Sequence, residues 1–322
     1  MLFHKLLELF FFKWRQTRIS SIIWTISLVG VSLLTASAFS GMYQNQQERQ
    51  AIAETMENPA MIAMVGPGYG IEDYTNGAMM AHQMLLFTAI VLAIMSILLV
   101  AKMTRKEEEE GKYELIRSLP VGRLSGLSAS LILVSLLNVA IGLLTAIGLI
   151  AIDVEGMDIQ GSILYGATLA AAGLIFTGIT AIISQLMETS RATIGLSIGI
   201  LLFCYLMRAI GDVSSEMLSL ISPLGLLIRT EVYVDNYWWP IVVILLLFLI
   251  FIIIAFYLNN IRDVGAGLLP SKPGKQEASK WLLSPIGLIL RLQRTAIISW
   301  LCAMLLIGGF LWFRFWRSGI VF

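Results

Sequence analysis

Long apolar runs separated by short polar breaks set the pattern of this chain. They recur at about 19–40, 83–103, 124–151, 161–186, 193–211, 240–258 and 295–313, and a helix needs roughly 20 apolar residues to cross a hydrocarbon core of about 30 Å. Helices are expected rather than strands, because an open sheet edge cannot face lipid. Three polar breaks are long. Residues 41–82 pass from a polar helical stretch into a Gly/Pro turn at Gly66–Gly70; it is not a phosphate loop, since no Lys-Ser or Lys-Thr follows. Residues 212–239 end in Tyr237, Trp238 and Trp239 before Pro240, and 259–280 form a Gly/Pro/Lys linker. Residues 1–18 are too short and too charged to span but rich in Leu and Phe, with Trp14 and the basic cluster Lys13, Arg15 and Arg18 at one end; they predict an interfacial helix. The alternative is an inward extension of the first span. The first run lacks a small-residue cleavage site and so is no signal peptide.

Composition agrees. Of 322 residues 57% are hydrophobic and 13% charged, too few polar groups to cover a globular surface. The expectation is an all-α integral membrane protein. A net charge of +1 makes no long-range case for nucleic acid. Cys204 and Cys302 lie inside apolar runs and read as small core residues, not as a disulfide or metal site. His4 reads as a surface histidine.

Charge placement gives an orientation. With the N-terminus inside, seventeen Lys and Arg flank the inner ends of the spans and only two, Arg49 and Arg229, the outer ones. The positive-inside rule therefore predicts a multi-pass plasma-membrane protein with a cytoplasmic N-terminus. Trp238 and Trp239 read as anchors at the outer interface, and Trp14, Arg15 and Arg18 as anchors at the inner one.

Candidate chemistry is sparse. The predicted spans hold no Asp or Glu, and their surroundings a single histidine, His82 at the outer mouth of the second; a membrane enzyme or an ion-coupled transporter would need ionisable groups converging at depth. Arg208, near the outer end of the fifth span, is expected to snorkel. No metal-binding constellation is read, and no G-x-x-x-x-G-K-[ST] pattern occurs, so energy for uphill transport would have to come from a partner. Small residues in the fourth and fifth spans (Gly166, Gly173, Gly178, Gly195, Gly199) predict close helix packing.

One strongly charged island remains, Thr104 to Arg123, TRKEEEEGKYELIRSLPVGR. Glu107, Glu108, Glu109 and Glu110 with Lys112 predict a solvated face, Tyr113, Leu115, Ile116 and Leu119 a row of apolar knobs, Gly111 a bend and Pro120 a helix end. This stretch resembles the first cytoplasmic loop of ABC-2 type permeases, the membrane subunits of ATP-binding-cassette exporters. RDVGAGLLPSKPGKQEAS followed by SPIGLILRLQR, and SPLGLLIRTEVYVDNYWWP, are similar to segments of the twelve-span antibiotic or polyketide exporter permeases in that class. The resemblance implies a coupling helix within 104–123, with Glu107, Glu110, Gly111, Tyr113, Glu114, Ile116 and Pro120 meeting separate ABC ATPase subunits. It further implies no cofactor on this chain, ATP and magnesium being held by the partner, and outward movement of a hydrophobic or amphiphilic, antibiotic-like compound.

Arg15, Arg18 and Trp24 recur with the same spacing as Arg291, Arg294 and Trp300, which suggests an internal duplication. The expected organisation is then an interfacial helix at 1–18, six spans over 19–258, a linker with a second interfacial segment at 259–294, and an incomplete seventh span with an atypical tail at 295–322. That is a six-span permease half plus the start of a second repeat. Codons for Phe310 to Phe322 can be chosen so that a one-base shift yields text resembling the family's continuation, so a frameshifted or truncated product is expected, which would need a second permease half or a second copy. A secondary transporter and a non-transporting scaffold that docks an ATPase are the alternative functions.

Overall fold

The computed structural model describes residues 2–263 and 265–269, together with 282, 284–294, 297–298, 300–301 and 304. The chain divides into two compact units, Met1–Pro270 and Ser271–Phe322. In the second, residues 285–294 are helical; the predicted seventh span is described only in part, and the atypical tail lies outside the described residues. Among the described residues there is no strand.

The first unit carries six helices long and apolar enough to cross a membrane, at the positions the apolar runs predict. These are α1 (Leu6–Met42), α4 (Asn76–Ala101), α7 (Ser125–Ile152), α8 (Ile159–Leu186), α9 (Ser190–Ser214) and α12 (Trp239–Ile261). Short helices α2 (Gln46–Met56), α3 (Pro59–Val65), α10 (Glu216–Ile221) and α11 (Pro223–Ile228) gather at one end of the bundle. At the opposite end α4 passes through a π-helical turn, Lys102–Lys106, into α5 (Glu107–Glu109), and α6 (Lys112–Arg117) precedes α7. Helix starts follow local chemistry. Thr75, Asp158, Thr189 and Ser222 accept hydrogen bonds from the first-turn amides of α4, α8, α9 and α11, satisfying donors that would otherwise be orphaned. Prolines 59, 223 and 240 occupy first turns, where no amide is needed.

Helix α8 is the axis of the bundle, packed against α7, α4 and α12. It crosses α7 at Gly142 and Gly166, where a Cβ on either would come within 2.2–2.3 Å of the other's carbonyl oxygen, so only glycine allows the backbones this close. One turn further along α7, Asn138 joins Ser96 (3.0 Å) and Thr177 (3.2 Å) in a buried polar trio tying α4, α7 and α8 together.

The helix expected to lie separately over 1–18 is instead the beginning of a single 37-residue helix. Its buried positions are Leu9, Lys13, Thr17, Ser21, Leu28, Ser32 and Ala36, while Ile19, Ile22, Ile23, Ile26 and Leu34 face outward. This inverts the soluble rule: small and hydroxyl residues pack inward and the large apolar side chains coat the outside. No break occurs near residue 18 because Lys13, the charge that argued for one, is buried against a carboxylate.

Candidate functional site

Three starts (α1, α7, α9) and three ends (α4, α8, α12) of the long helices converge on the glutamate run. The π-helical turn at Lys102–Lys106 and α5 present consecutive side chains about 100° apart, so neighbouring glutamates point at different helices. Glu107 pairs with Lys13 of α1, whose ammonium also donates to the Met103 carbonyl at 2.7 Å. Glu108 accepts from Arg105 at 2.8 Å and from both terminal nitrogens of Arg262, just past α12, at 2.8 and 2.6 Å. Glu109 caps α9, accepting from the Ser190 amide at 2.9 Å and its hydroxyl at 2.6 Å. Glu110 pairs only with Lys112, in solvent.

The expected solvated face is therefore divided. Glu107 and Glu108 have side chains about 8% exposed, whereas Glu109 and Glu110 are exposed. Burial is tolerable because every charge is paired and hydrogen-bonded. The Arg105 guanidinium, buried, also donates to the carbonyls of Ser184, Gln185 (3.3 Å) and Ala266 (3.2 Å). It thereby satisfies the orphaned carbonyls at the end of α8 and fastens residues 266–269 beside them, where the Leu268 and Leu269 amides donate to Gln185 and Leu186. Arg123 donates to the Arg262 carbonyl at 2.9 Å.

Beyond α5 the chain reverses at Gly111, φ +70° with open space around its Cα, a left-handed turn that glycine adopts freely. Helix α6 follows and ends before Pro120. Its apolar residues divide too. Tyr113 is half-buried, its ring against Gly126 and its hydroxyl 3.5 Å from the Arg123 carbonyl, so it packs α6 onto α7 instead of standing out as a knob. Ile116 is half-buried, whereas Glu114, Leu115 and Leu119 are exposed, Leu115 at 72%. The Glu110 carboxyl is held below its usual range by the hydrogen bond from Lys112 and by the charges of Lys112, Lys106 and Lys102.

Of the expected site residues, the structure brings Glu107, Glu110, Gly111, Tyr113, Glu114, Ile116 and Pro120 into one loop. Of the residues that anchor it, Glu108 and Glu109 read from sequence as part of a solvated face, and Lys13, Arg105 and Arg262 only as charges at the inner ends of the spans; the signal available was the roughly 100° rotation between consecutive glutamates at a helix end. Trp14, Arg15 and Arg18 are exposed along α1, and Trp238 and Trp239 are exposed at the start of α12.

At the opposite end Arg208 does not snorkel. It is fully buried, pairs with Asp212 at 3.0 Å and donates to the carbonyls of Ile62, Ala63 and Met64 at the end of α3. The Ala63 and Met64 carbonyls lie at the helix end, and the Ile62 carbonyl also accepts from the Gly66 amide at 2.9 Å; together they supply what water would have supplied. Nearby, His82 bridges the Tyr74 hydroxyl (2.9 Å) and the Gly66 carbonyl (3.1 Å). An apolar groove of about 550 Å³ lies among α7, α8 and α12, with Trp238 at its rim, and another of about 490 Å³ between α1 and α7.

Residues 6–258 match the family model described as the multidrug efflux system permease Rv1217c, C-terminal domain. The chain is 34% identical over 297 residues to the multidrug efflux system permease protein Rv1217c of Mycobacterium tuberculosis. That alignment covers 91% of this chain and 53% of the relative, so the chain spans about half the length of the curated protein it matches. By these matches and its six long apolar helices, the chain belongs to the family of the multidrug efflux system permease Rv1217c.

Proposed function

We propose that the chain is the membrane-spanning permease component of an ATP-driven, ABC-2 type exporter that moves hydrophobic or amphiphilic compounds outward. ATP is hydrolysed on a separate ATPase subunit that docks on the loop around α6, and a second permease half or a second copy completes the transporter. The observation that carries this reading is the division of labour in the loop. Three glutamates bind it to α1, α9 and the ends of α4 and α12, while Glu114, Leu115 and Leu119 are left exposed outside the apolar length of the helices. A load on that exposed surface reaches several long helices through ion pairs rather than through flexible chain. The excess of Lys and Arg at this end supports a cytoplasmic location for it, and the two apolar grooves suit a cargo without charge.

The test is to replace Glu114 by Ala and Leu115 and Leu119 by Ser. Truncating the centre of an interface costs roughly 2 kcal/mol or more per anchor, so co-purification with the ATPase and ATP-dependent uptake of cargo into inside-out vesicles fall at least tenfold, with the permease's own melting temperature unchanged. Efflux that persists without ATP and follows a proton gradient would refute the coupling.

A further inference from the structure

A pocket of about 260 Å³ lies on the flank of α1 beside the glutamate loop, lined among others by Gln16, Thr17, Lys102, Lys106, Glu110 and Lys112. Its charges do not cancel. Glu107, at the floor, is neutralised by the buried Lys13, and Glu110 is taken by Lys112. Lys102 and Lys106 are exposed, and among the described residues neither has an ion-pair partner. The π-helical turn places them four residues apart on one face, with the buried Met103, Thr104 and Arg105 between them.

The height of the pocket identifies the ligand. Helix α4 runs from Asn76 to Ala101 without a single Asp, Glu, Lys or Arg, and Lys102 is the next residue. Two unpaired ammonium groups thus sit where an apolar helix of 26 residues ends, the depth of lipid phosphates. The outward face of α1 beside them is apolar, with Ile19, Ile23 and Ile26 exposed, a surface for acyl chains below a headgroup. We propose that this pocket binds the phosphate of an anionic phospholipid, held by Lys102 and Lys106 with Gln16 as an additional donor. The proposal rests on the membrane-spanning reading above but not on the ATPase. Because Glu110 and Lys112 line the same pocket, an occupying phosphate competes with Glu110 for Lys112, and the lipid is thereby linked to the loop at Gly111.

The experiment uses the full chain in nanodiscs of phosphatidylcholine with graded phosphatidylglycerol, retained lipids being counted by native mass spectrometry without any ATPase present. Each lysine near an anionic lipid contributes about fivefold, so Lys102→Gln with Lys106→Gln lowers the preference for phosphatidylglycerol roughly 25-fold. The Arg15→Gln/Arg18→Gln pair removes as much exposed charge outside the pocket and so measures the unspecific surface attraction; the loss in the Lys102/Lys106 pair exceeds it by at least about fivefold, and Lys102→Arg/Lys106→Arg retains the preference. Equal loss in the Arg15/Arg18 pair would show unspecific surface attraction, and an unchanged preference in the Lys102/Lys106 pair would remove the site; either overturns the proposal. If inorganic phosphate in detergent protects the wild type against thermal unfolding as well as phosphatidylglycerol does, the ligand is a soluble anion and the lipid assignment fails. Loss of ATPase docking leaves all of these readouts in place, so the two readings fail separately.

Discussion

Replacing Glu108 by Gln probes the centre of the ion-pair cluster. The change keeps shape and one carbonyl oxygen but removes the charge that faces both Arg105 and Arg262 at 2.6–2.8 Å. Two guanidinium groups, with side chains 1% and 4% exposed, are then left beside each other with no counter-charge, only neutral carbonyl acceptors. Breaking a buried pair from one side costs about 3–5 kcal/mol. The carbonyls of Ser184, Gln185 and Ala266 remain bonded to Arg105, which argues for the lower end, about 3 kcal/mol. Arg262→Gln alone leaves the carboxylate with Arg105 and costs less, roughly 1–2 kcal/mol. In the double variant the second guanidinium is gone and the repulsion with it, so the two losses fall short of adding by about 1.5 kcal/mol. Reversible unfolding of wild type, both single variants and the double variant in mixed micelles gives the cycle. Additivity within about 0.5 kcal/mol would show that the residues do not act as a unit, and the mechanical role assigned to the loop would lose its support.

Other parts of the molecule give independent checks. Gly166→Val places side-chain atoms where the Gly142 carbonyl already lies; α7 and α8 must separate, and size-exclusion chromatography is expected to show loss of the folded, monodisperse protein. Asn138→Leu removes the polar trio, yet the Ser96 and Thr177 hydroxyls keep their own helix carbonyls, so unfolding measurements should find a cost near 0.6 and below about 2 kcal/mol. Arg208→Met releases the end of α3 and leaves Asp212 buried with only the Ser219 hydroxyl at 2.5 Å; limited proteolysis within residues 59–66 is expected to accelerate at least tenfold, with cleavage elsewhere unchanged. Glu231, between α11 and α12, has its pKa raised above 4.5 by burial and then by Asp235. The folded state therefore binds this proton more tightly than the unfolded one, its penalty is present at neutral pH and is relieved as pH falls through the folded value towards 4.5. Glu231→Gln should flatten that part of the melting temperature's pH dependence, and an unchanged slope would exclude Glu231 as its source.

The long helices were legible from sequence because hydropathy over some 20 residues reports a requirement of the solvent, independent of which helix packs against which. Apolar runs at 83–103 and 240–258 accordingly became α4 and α12 with only their ends extended. What one side chain touches is a different kind of question. Lys13 and Arg208 read as charges seeking water because their partners, Glu107 and the α3 carbonyls, are distant in sequence. The four glutamates read as one face because composition is blind to the rotation between successive residues of a helix. Tyr113 read as a knob for a partner protein, and only the close approach to Gly126 shows it facing α7. The bend at Gly111 and the end of α6 before Pro120 were legible, since both follow from local backbone chemistry.

The distribution of charge explains why ion pairs, and not apolar contacts, join the loop to the bundle. At the membrane depth of α4, α7 and α8 the contacts are apolar or are hydrogen bonds between small side chains, as in Asn138–Ser96–Thr177, and such packing is close and hard to rearrange. Where the same helices end, apolar contact would have to be maintained beside water, and a buried pair is no more stabilising than a well-packed apolar substitute. Its advantage is direction. Glu107 can meet Lys13 in one geometry only, Glu108 accepts the two ends of the Arg262 fork, and Glu109 fits the first turn of α9. A displacement of α5 by one residue's rise, about 1.5 Å, would therefore break all three attachments together or carry α1, α9 and the end of α12 along with it. An apolar patch would slide over the same distance at little cost. In the proposed exporter, the glutamate run carries movement of the loop, whose Leu115 and Leu119 are exposed, to α1, α9 and the end of α12.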